Sequence, residues 1–403
     1  MNSHRHSLLV QLLLFSVVLL WSSFSNAAEE TNNKFCDFGP DALPGFDQTC
    51  IPSTAYNGQR CFYTYIPECA KESSSNTTSV VPLVFDIHGF GSCPQFNLYY
   101  TGWKEKAEEN CFVLVLPIGN TDPDVTAATC FAVPGGLQIG KDTMDECCCS
   151  EPGIIKTSSF DPSLTDDLRF LRQTAAVVVR DVPVMTLNQT AIDTKRIYFA
   201  GHSNGCMISL AMAAVHSDLV AAVGCHAGTM LTPFAQDYIP TPIWMVIGTG
   251  DPVVSYNGGS NSWLNWMYPS SETMFSLFAA ANQCNFTATQ VIDPAPGSNA
   301  NTYSMFEGAS CKDDANVILL ALDDVGHTPY LDDKSEDVLN GIGQSVTLDT
   351  TQMAWDFVKT HSLKDAPNLD DVPPDEAPTS SSYKMVVCVT FIVSSIATIT
   401  LGL

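Results

Sequence analysis

The chain has 403 residues, 45% of them hydrophobic and 15% charged, which is ample for one large core. Asp and Glu number 43 against 18 Lys and Arg, a formal net charge of −25. That balance argues against nucleic acid or an anionic membrane surface as a partner and fits solubility in an extracellular medium.

The N-terminus reads as a secretory leader. Arg5 precedes an apolar run from Leu8 to Leu20, and Ser25-Asn26-Ala27 fits a small-x-small cleavage pattern, so residues 1–27 are expected to be removed. All cysteines but Cys388 lie between Cys36 and Cys311, an even set suited to disulfides in an oxidising compartment. Sequons at Asn76, Asn188 and Asn285 point the same way as glycosylation sites. Consecutive Cys147, Cys148 and Cys149 converge poorly on one tetrahedral ion, and no C-x-x-C pair accompanies them, so no metal site is expected.

Short apolar runs at Cys61–Ile66, Leu83–Ile87, Phe112–Leu116, Arg196–Ala200, Ala221–Val223, Ile243–Ile247 and Val317–Ala321 have the length and continuity of strands buried on both faces. Between them, helices are expected over Thr165–Arg180, Asn204–Val215, Ser271–Ala281 and Thr350–His361, the first opened by Asp166 and Asp167. This alternation predicts an α/β protein with a mostly parallel, doubly wound sheet in a single domain, residues 28–362. The stretch Thr121–Pro162 is long, Cys-rich and irregular, and is expected as an insertion near the carboxyl edge of the sheet. Residues 363–384, rich in Pro, Asp and Ser, read as an acidic stalk. The hydrophobic block 385–403 resembles a GPI-attachment signal, with a transmembrane anchor as the alternative; the membrane is expected to be met only through this segment.

One motif dominates. The strand Ile197–Ala200 runs into Gly201-His202-Ser203-Asn204-Gly205, and a helix-compatible stretch follows at once. A serine on such a strand-to-helix turn presents its hydroxyl above the sheet. A hydroxyl needs a base, and the base needs an orienting carboxylate. In the order Ser, acid, His, each at the end of a later strand, Asp251 follows Ile243–Ile247 and His327 follows Val317–Ala321. Asp323 and Asp324 are rival acids, too near His327 in the chain to reach the far side of its ring. His226 precedes Asp251 and breaks the order. For the oxyanion, the N–H after the nucleophile, that of Asn204, is one expected donor. The other is the N–H of Phe90 in Ile87-His88-Gly89-Phe90-Gly91, with Gly89 as the fallback.

These segments, with Thr165-Asp166-Asp167, Asn282-Gln283-Cys284 and Gly326-His327-Thr328-Pro329, resemble the secreted α/β-hydrolase esterases of the polyhydroxybutyrate depolymerase and feruloyl esterase type over roughly residues 60–330. The resemblance implies an α/β-hydrolase fold, a Ser203–His327–Asp251 triad acting through an acyl-enzyme, and no cofactor. The substrate expected is a small ester or an ester linked to a plant or algal polysaccharide. Cys206 stands where many relatives have glycine and is expected as a buried apolar thiol. A disulfide is expected between Cys284 and Cys311, closing a loop ahead of the His327 strand. Phe90, Trp263 and Trp266 are expected either to stack on a phenolic acyl group or to serve the core. The residues between His327 and the stalk are fewer than the roughly 50 of a small domain, which leaves no room for a separate polymer-binding module. A serine peptidase on the same fold and a non-catalytic surface binding protein are the competing readings. Oligomeric state is not legible.

Overall fold

The computed structural model describes residues 36, 39–53, 58–71, 78–121, 129–138, 144–147, 166–230, 232–261, 266–293, 301–331 and 346–369. The leader, the terminal apolar block, Asn76, Trp263, Cys148 and Cys149 lie outside them.

Ten strands form one sheet: β1 (Asp47–Pro52), β2 (Gln59–Tyr65), β3 (Ser79–Ile87), β4 (Val113–Pro117), β9 (Thr190–His202), β10 (Ala222–His226), β11 (Ile243–Gly248), β14 (Phe286–Ile292), β15 (Tyr303–Ala309) and β16 (Val317–Leu322). Their spatial order is β1-β2-β4-β3-β9-β10-β11-β16-β15-β14. Strands β4 through β16 in that order pair in parallel, and antiparallel pairs close both edges. The second strand running antiparallel, the β4-β3 exchange and the parallel run that follows define the α/β-hydrolase topology.

Side chains alternate across the sheet because the strand period is two. In β9, Ile197 and Phe199 enter one core layer, while Tyr198 and Ala200 enter the other. The first layer lies under α3 (Asp166–Met185), α4 (Asn204–Val215) and α5 (Ser271–Ala281). The second lies under α2 (Trp103–Asn110) and α6 (Thr350–Val358), where Trp103, Phe112, Tyr198 and Trp355 pack edge to face or tilted. A short α1 (Pro94–Thr101) precedes α2, and the two meet at Gly102, whose φ of 72° is left-handed.

The central strands and helices lie where the apolar runs place them, but the edges differ. β1, α1, α2, β14 and β15 have no counterpart among the expected elements. Half-exposed edge strands such as β15 show no continuous apolar run. The expected insertion is not wholly irregular. β5 (Asn120–Thr121) pairs with β6 (Thr129–Cys130), and β7 (Val133–Gln138) joins β8 (Met144–Cys147) in a small sheet with β12 (Gly259–Asn261) and β13 (Trp266–Tyr268). The first residues of the expected stalk are docked rather than free. Leu363 N–H donates to the Lys195 carbonyl at 2.9 Å, Arg172 donates to the Asn368 carbonyl at 3.1 Å, and Leu369 packs on the core.

Disulfides join Cys36–Cys93, Cys50–Cys61, Cys69–Cys111, Cys206–Cys225 and Cys284–Cys311, and Cys130 is also disulfide-bonded. The expectation of a free Cys206 thiol is therefore wrong. β10 lies beside β9 and under α4, and this brings Cys225 beneath the first turn of the helix. Asn188 and Asn285 are both exposed, Asn188 on a left-handed turn at φ 65°.

Candidate active site

β9 delivers Gly201 and His202, the chain turns at Ser203, and α4 begins at Asn204. Ser203 has φ 55° and ψ −116°, a conformation that costs a side-chain-bearing residue on the order of 1–3 kcal/mol and is held by its surroundings. Its N–H donates to the His226 carbonyl of β10 at 2.9 Å. The glycines are there for space: a Cβ on Gly205 would stand 1.8 Å from the Ile87 carbonyl oxygen, and one on Gly201 would stand 2.6 Å from the Gly205 backbone. The Cys206–Cys225 disulfide pins the helix to β10 directly behind this turn.

β11 ends at Gly248, and β16 leads into the loop carrying His327. The two loops touch so closely that a Cβ on Gly248 would lie 1.9 Å from the Val325 carbonyl. The contact brings His327 Nδ1 to 2.7 Å from Asp251 Oδ2. The other carboxylate oxygen accepts from the Val253 and Val254 amides at 2.8 and 2.9 Å. Asp251 is thus fixed at both oxygens, and an acceptor-only carboxylate obliges His327 to carry its proton on Nδ1. The rival acids Asp323 and Asp324 are exposed. His226 is fully buried, stacked on Tyr330 with ring centroids 4.1 Å apart.

β3 ends at Ile87, and His88 fixes the loop that follows. Its Nε2 accepts from the Gly119 N–H at 2.9 Å, so Nδ1 carries the proton and donates to the Gly89 carbonyl at 2.8 Å. Burial pushes this imidazole down to about 4, so it stays neutral in that role. The loop lies against Ser203: a Cβ on Gly89 would be 3.3 Å from Ser203 Cβ. Phe90 is half-buried and packs on Cys130 and Ala132, while the Gly91 N–H donates to the Thr129 carbonyl at 2.8 Å. Trp266 stands in β13 opposite Gln138.

Two clamps around Phe131 and Ala132 escape the sequence reading. The Asn204 side chain takes both backbone groups of Phe131, its Oδ1 accepting from N–H at 2.8 Å and its Nδ2 donating to the carbonyl at 3.0 Å. The Asn beside Ser203 therefore has a structural use: it sews the inserted segment onto the turn. The second clamp is a buried ion cluster. Arg60 donates to Asp166 at 2.9 Å and to Asp167 at 2.5 Å, and Asp167 accepts from the Ala132 N–H at 2.6 Å. Burial pushes the Asp167 carboxyl up while Arg60 opposes it. The sequence signal was the adjacent acidic pair, which the helix-dipole argument absorbed; nothing local marked Arg60 as its partner.

No family model matches this chain. It is similar to feruloyl esterase B of Piromyces equi, 27% identical over 206 residues that make up 49% of this chain and 32% of the relative. It is also similar to a bifunctional acetylxylan esterase/xylanase of Neocallimastix patriciarum, 25% identical over 183 residues, 45% of this chain and 21% of the relative. The match thus spans about a third or less of either relative's length. Among solved structures, an acetyl xylan esterase from Aspergillus awamori aligns at TM-score 0.41 and 15% identity, covering 73% of this chain and 99% of its own. A CE1 ferulic acid esterase from Anaeromyces mucronatus aligns at TM-score 0.36 and 14% identity, covering 81% and 94%. Those scores are low, and the α/β-hydrolase fold of this chain is established by its own strand order.

Proposed function

We propose that this protein is a serine carboxylic ester hydrolase. The observations that carry the reading are a strained strand-to-helix turn at Ser203, a His327–Asp251 pair on two later loops, and the bond from His202, next to Ser203, to the His327 carbonyl. Asp251 holds the His327 proton on Nδ1, which leaves the Nε2 lone pair as the base. Ser203 Oγ attacks the ester carbonyl carbon as Nε2 takes its proton. The N–H groups of Asn204 and Phe90 stabilise the oxyanion, each worth on the order of 3 kcal/mol in the transition state. The tetrahedral intermediate collapses, the alcohol leaves with the proton from Nε2, and the acyl group stays on Ser203. Water then repeats the sequence and releases the acid.

The names of the sequence relatives support acyl esters of plant polysaccharides as substrates, feruloyl or acetyl. The disulfides favour an oxidising, extracellular setting. Anchoring through residues 385–403 and glycosylation at Asn188 and Asn285 belong to the same proposal.

The test compares the purified protein with Ser203→Ala on p-nitrophenyl acetate, p-nitrophenyl butyrate and methyl ferulate. Turnover is expected from the parent alone, and the ratio of ferulate to acetate rates assigns the acyl class. Equal rates from the two proteins would remove the esterase reading.

A further inference from the structure

His327 is held at two points. Asp251 takes its ring, and His202 takes its backbone: His202 Nε2 lies 2.7 Å from the His327 carbonyl oxygen. A carbonyl oxygen can only accept, so Nε2 of His202 carries the proton. Its Nδ1 is then a bare acceptor, and it lies 3.1 Å from the Tyr100 hydroxyl of α1, a hydroxyl that also meets Asn97 Oδ1 at 3.1 Å. Burial pushes His202 down to about 3, which keeps the imidazole in this single neutral form. Its setting is closed on all sides. His202 is 4% exposed, its ring meets Tyr330 edge-on at 5.7 Å, and β-pairing places it opposite His226.

The connectivity gives the bond its meaning. His202 immediately precedes Ser203 and ends β9, the strand that aims the nucleophile. His327 sits on a loop after β16, with β10 and β11 between the two strands. The hydrogen bond from His327 Nδ1 fixes its ring relative to Asp251. The bond from His202 fixes the His327 backbone relative to the turn that carries Ser203.

We propose that His202 is a positioning residue for the reaction, a latch that sets the distance and angle between the base and the nucleophile, and that the Tyr100 hydroxyl steadies its other ring nitrogen. The inference rests on the esterase reading of Ser203 and His327. The His202 ring packs against that of His327, centroids 4.8 Å apart, with its own hydrogen bond going to the His327 backbone, and its contribution appears in kcat, because the geometry it sets matters most in the transition state.

The full-length protein and its His202→Asn, His202→Gln and Tyr100→Phe variants distinguish the latch from ordinary core packing. A glutamine amide reaches the position of the imidazole Nε2 and can donate to the His327 carbonyl; asparagine reaches only that of Nδ1. With p-nitrophenyl acetate, His202→Asn is expected to lower kcat on the order of 10- to 100-fold while KM changes by no more than about twofold, and His202→Gln should restore most of the loss. Tyr100→Phe, which removes only a hydroxyl, should lower kcat several-fold and serves as the reporter if His202→Asn does not fold. The low-field proton resonance of the His327 Nδ1–H should persist in His202→Gln and broaden in His202→Asn, a readout independent of turnover. Equal losses in the Asn and Gln variants, an effect confined to KM, or an unchanged kcat and resonance in Tyr100→Phe would overturn the latch. An inactive parent would instead count against the esterase reading, with the resonance still deciding the latch.

Discussion

Asp251 shows how much chemistry depends on one atom. Oδ1 is committed to two backbone N–H groups and Oδ2 to His327. In Asp251→Asn the carbonyl oxygen would keep the Val253 and Val254 bonds, so the amide NH2 must face His327 Nδ1. That nitrogen then has to accept, the proton moves to Nε2, and the base loses its lone pair. The expected result is a fall in kcat on the order of 10⁴-fold with the fold intact, measured by ester turnover alongside circular dichroism. At this scale the motifs are legible, because the residue types the chemistry needs carry their own spacing. What escaped was Asn204, where the amide N–H was expected as a donor but the side chain proves to bind Phe131. A side chain's partner 73 residues away leaves no local mark.

Among elements, the decisive junction joins β2, α3 and the inserted segment through Arg60, Asp166, Asp167 and Ala132. Arg60 is 3% exposed, and its guanidinium lies 4.1 Å from the centroid of the Phe170 ring. Removing the cation leaves two carboxylates buried side by side. Arg60→Ala should therefore cost about 3–5 kcal/mol, read as a lowered midpoint in denaturant titration. Because Asp167 also holds Ala132 beside the oxyanion loop, the same variant should weaken turnover by more than its loss of folded protein explains. The sequence showed Asp166 and Asp167 at a helix start, and dipole stabilisation was a sufficient local reason for them. Their second use depends on β2 crossing beneath α3, which no local pattern encodes.

Across the whole molecule, buried histidines set the acid limit of stability. Burial lowers His88 and His216 to about 4 and His202 to about 3, and pushes His226 well below its ordinary value. For each, the unfolded chain takes up the proton first, so the stability they contribute is complete above pH 6.5 and is lost as pH falls from there toward 4. Asp86 works the other way. Burial raises it to about 7, so its contribution is greatest below pH 4 and fades as pH rises through 7. Burial also lowers His361 and raises Asp167, and five lowered histidines against two raised carboxyls predict a melting temperature that drops between pH 7 and pH 5. Neither ring nitrogen of His226 has a hydrogen-bond partner among the described residues. His226→Phe should therefore flatten that drop while keeping the stack on Tyr330, and an unchanged slope would reassign the acid sensitivity to other groups.

The sequence by itself determined the parallel core and the glycine-flanked turn at Ser203. Strands buried on both faces must be continuously apolar, and a nucleophile turn admits only small neighbours; both constraints act over a few adjacent positions and are written there. Tertiary structure alone decided the antiparallel edges, the Cys206–Cys225 bond, the clamps on Phe131 and Ala132 and the bond between His202 and His327. Each depends on which strands become neighbours. That outcome is fixed by the summed burial of the whole core, and a single residue carries no record of its partner across the sheet.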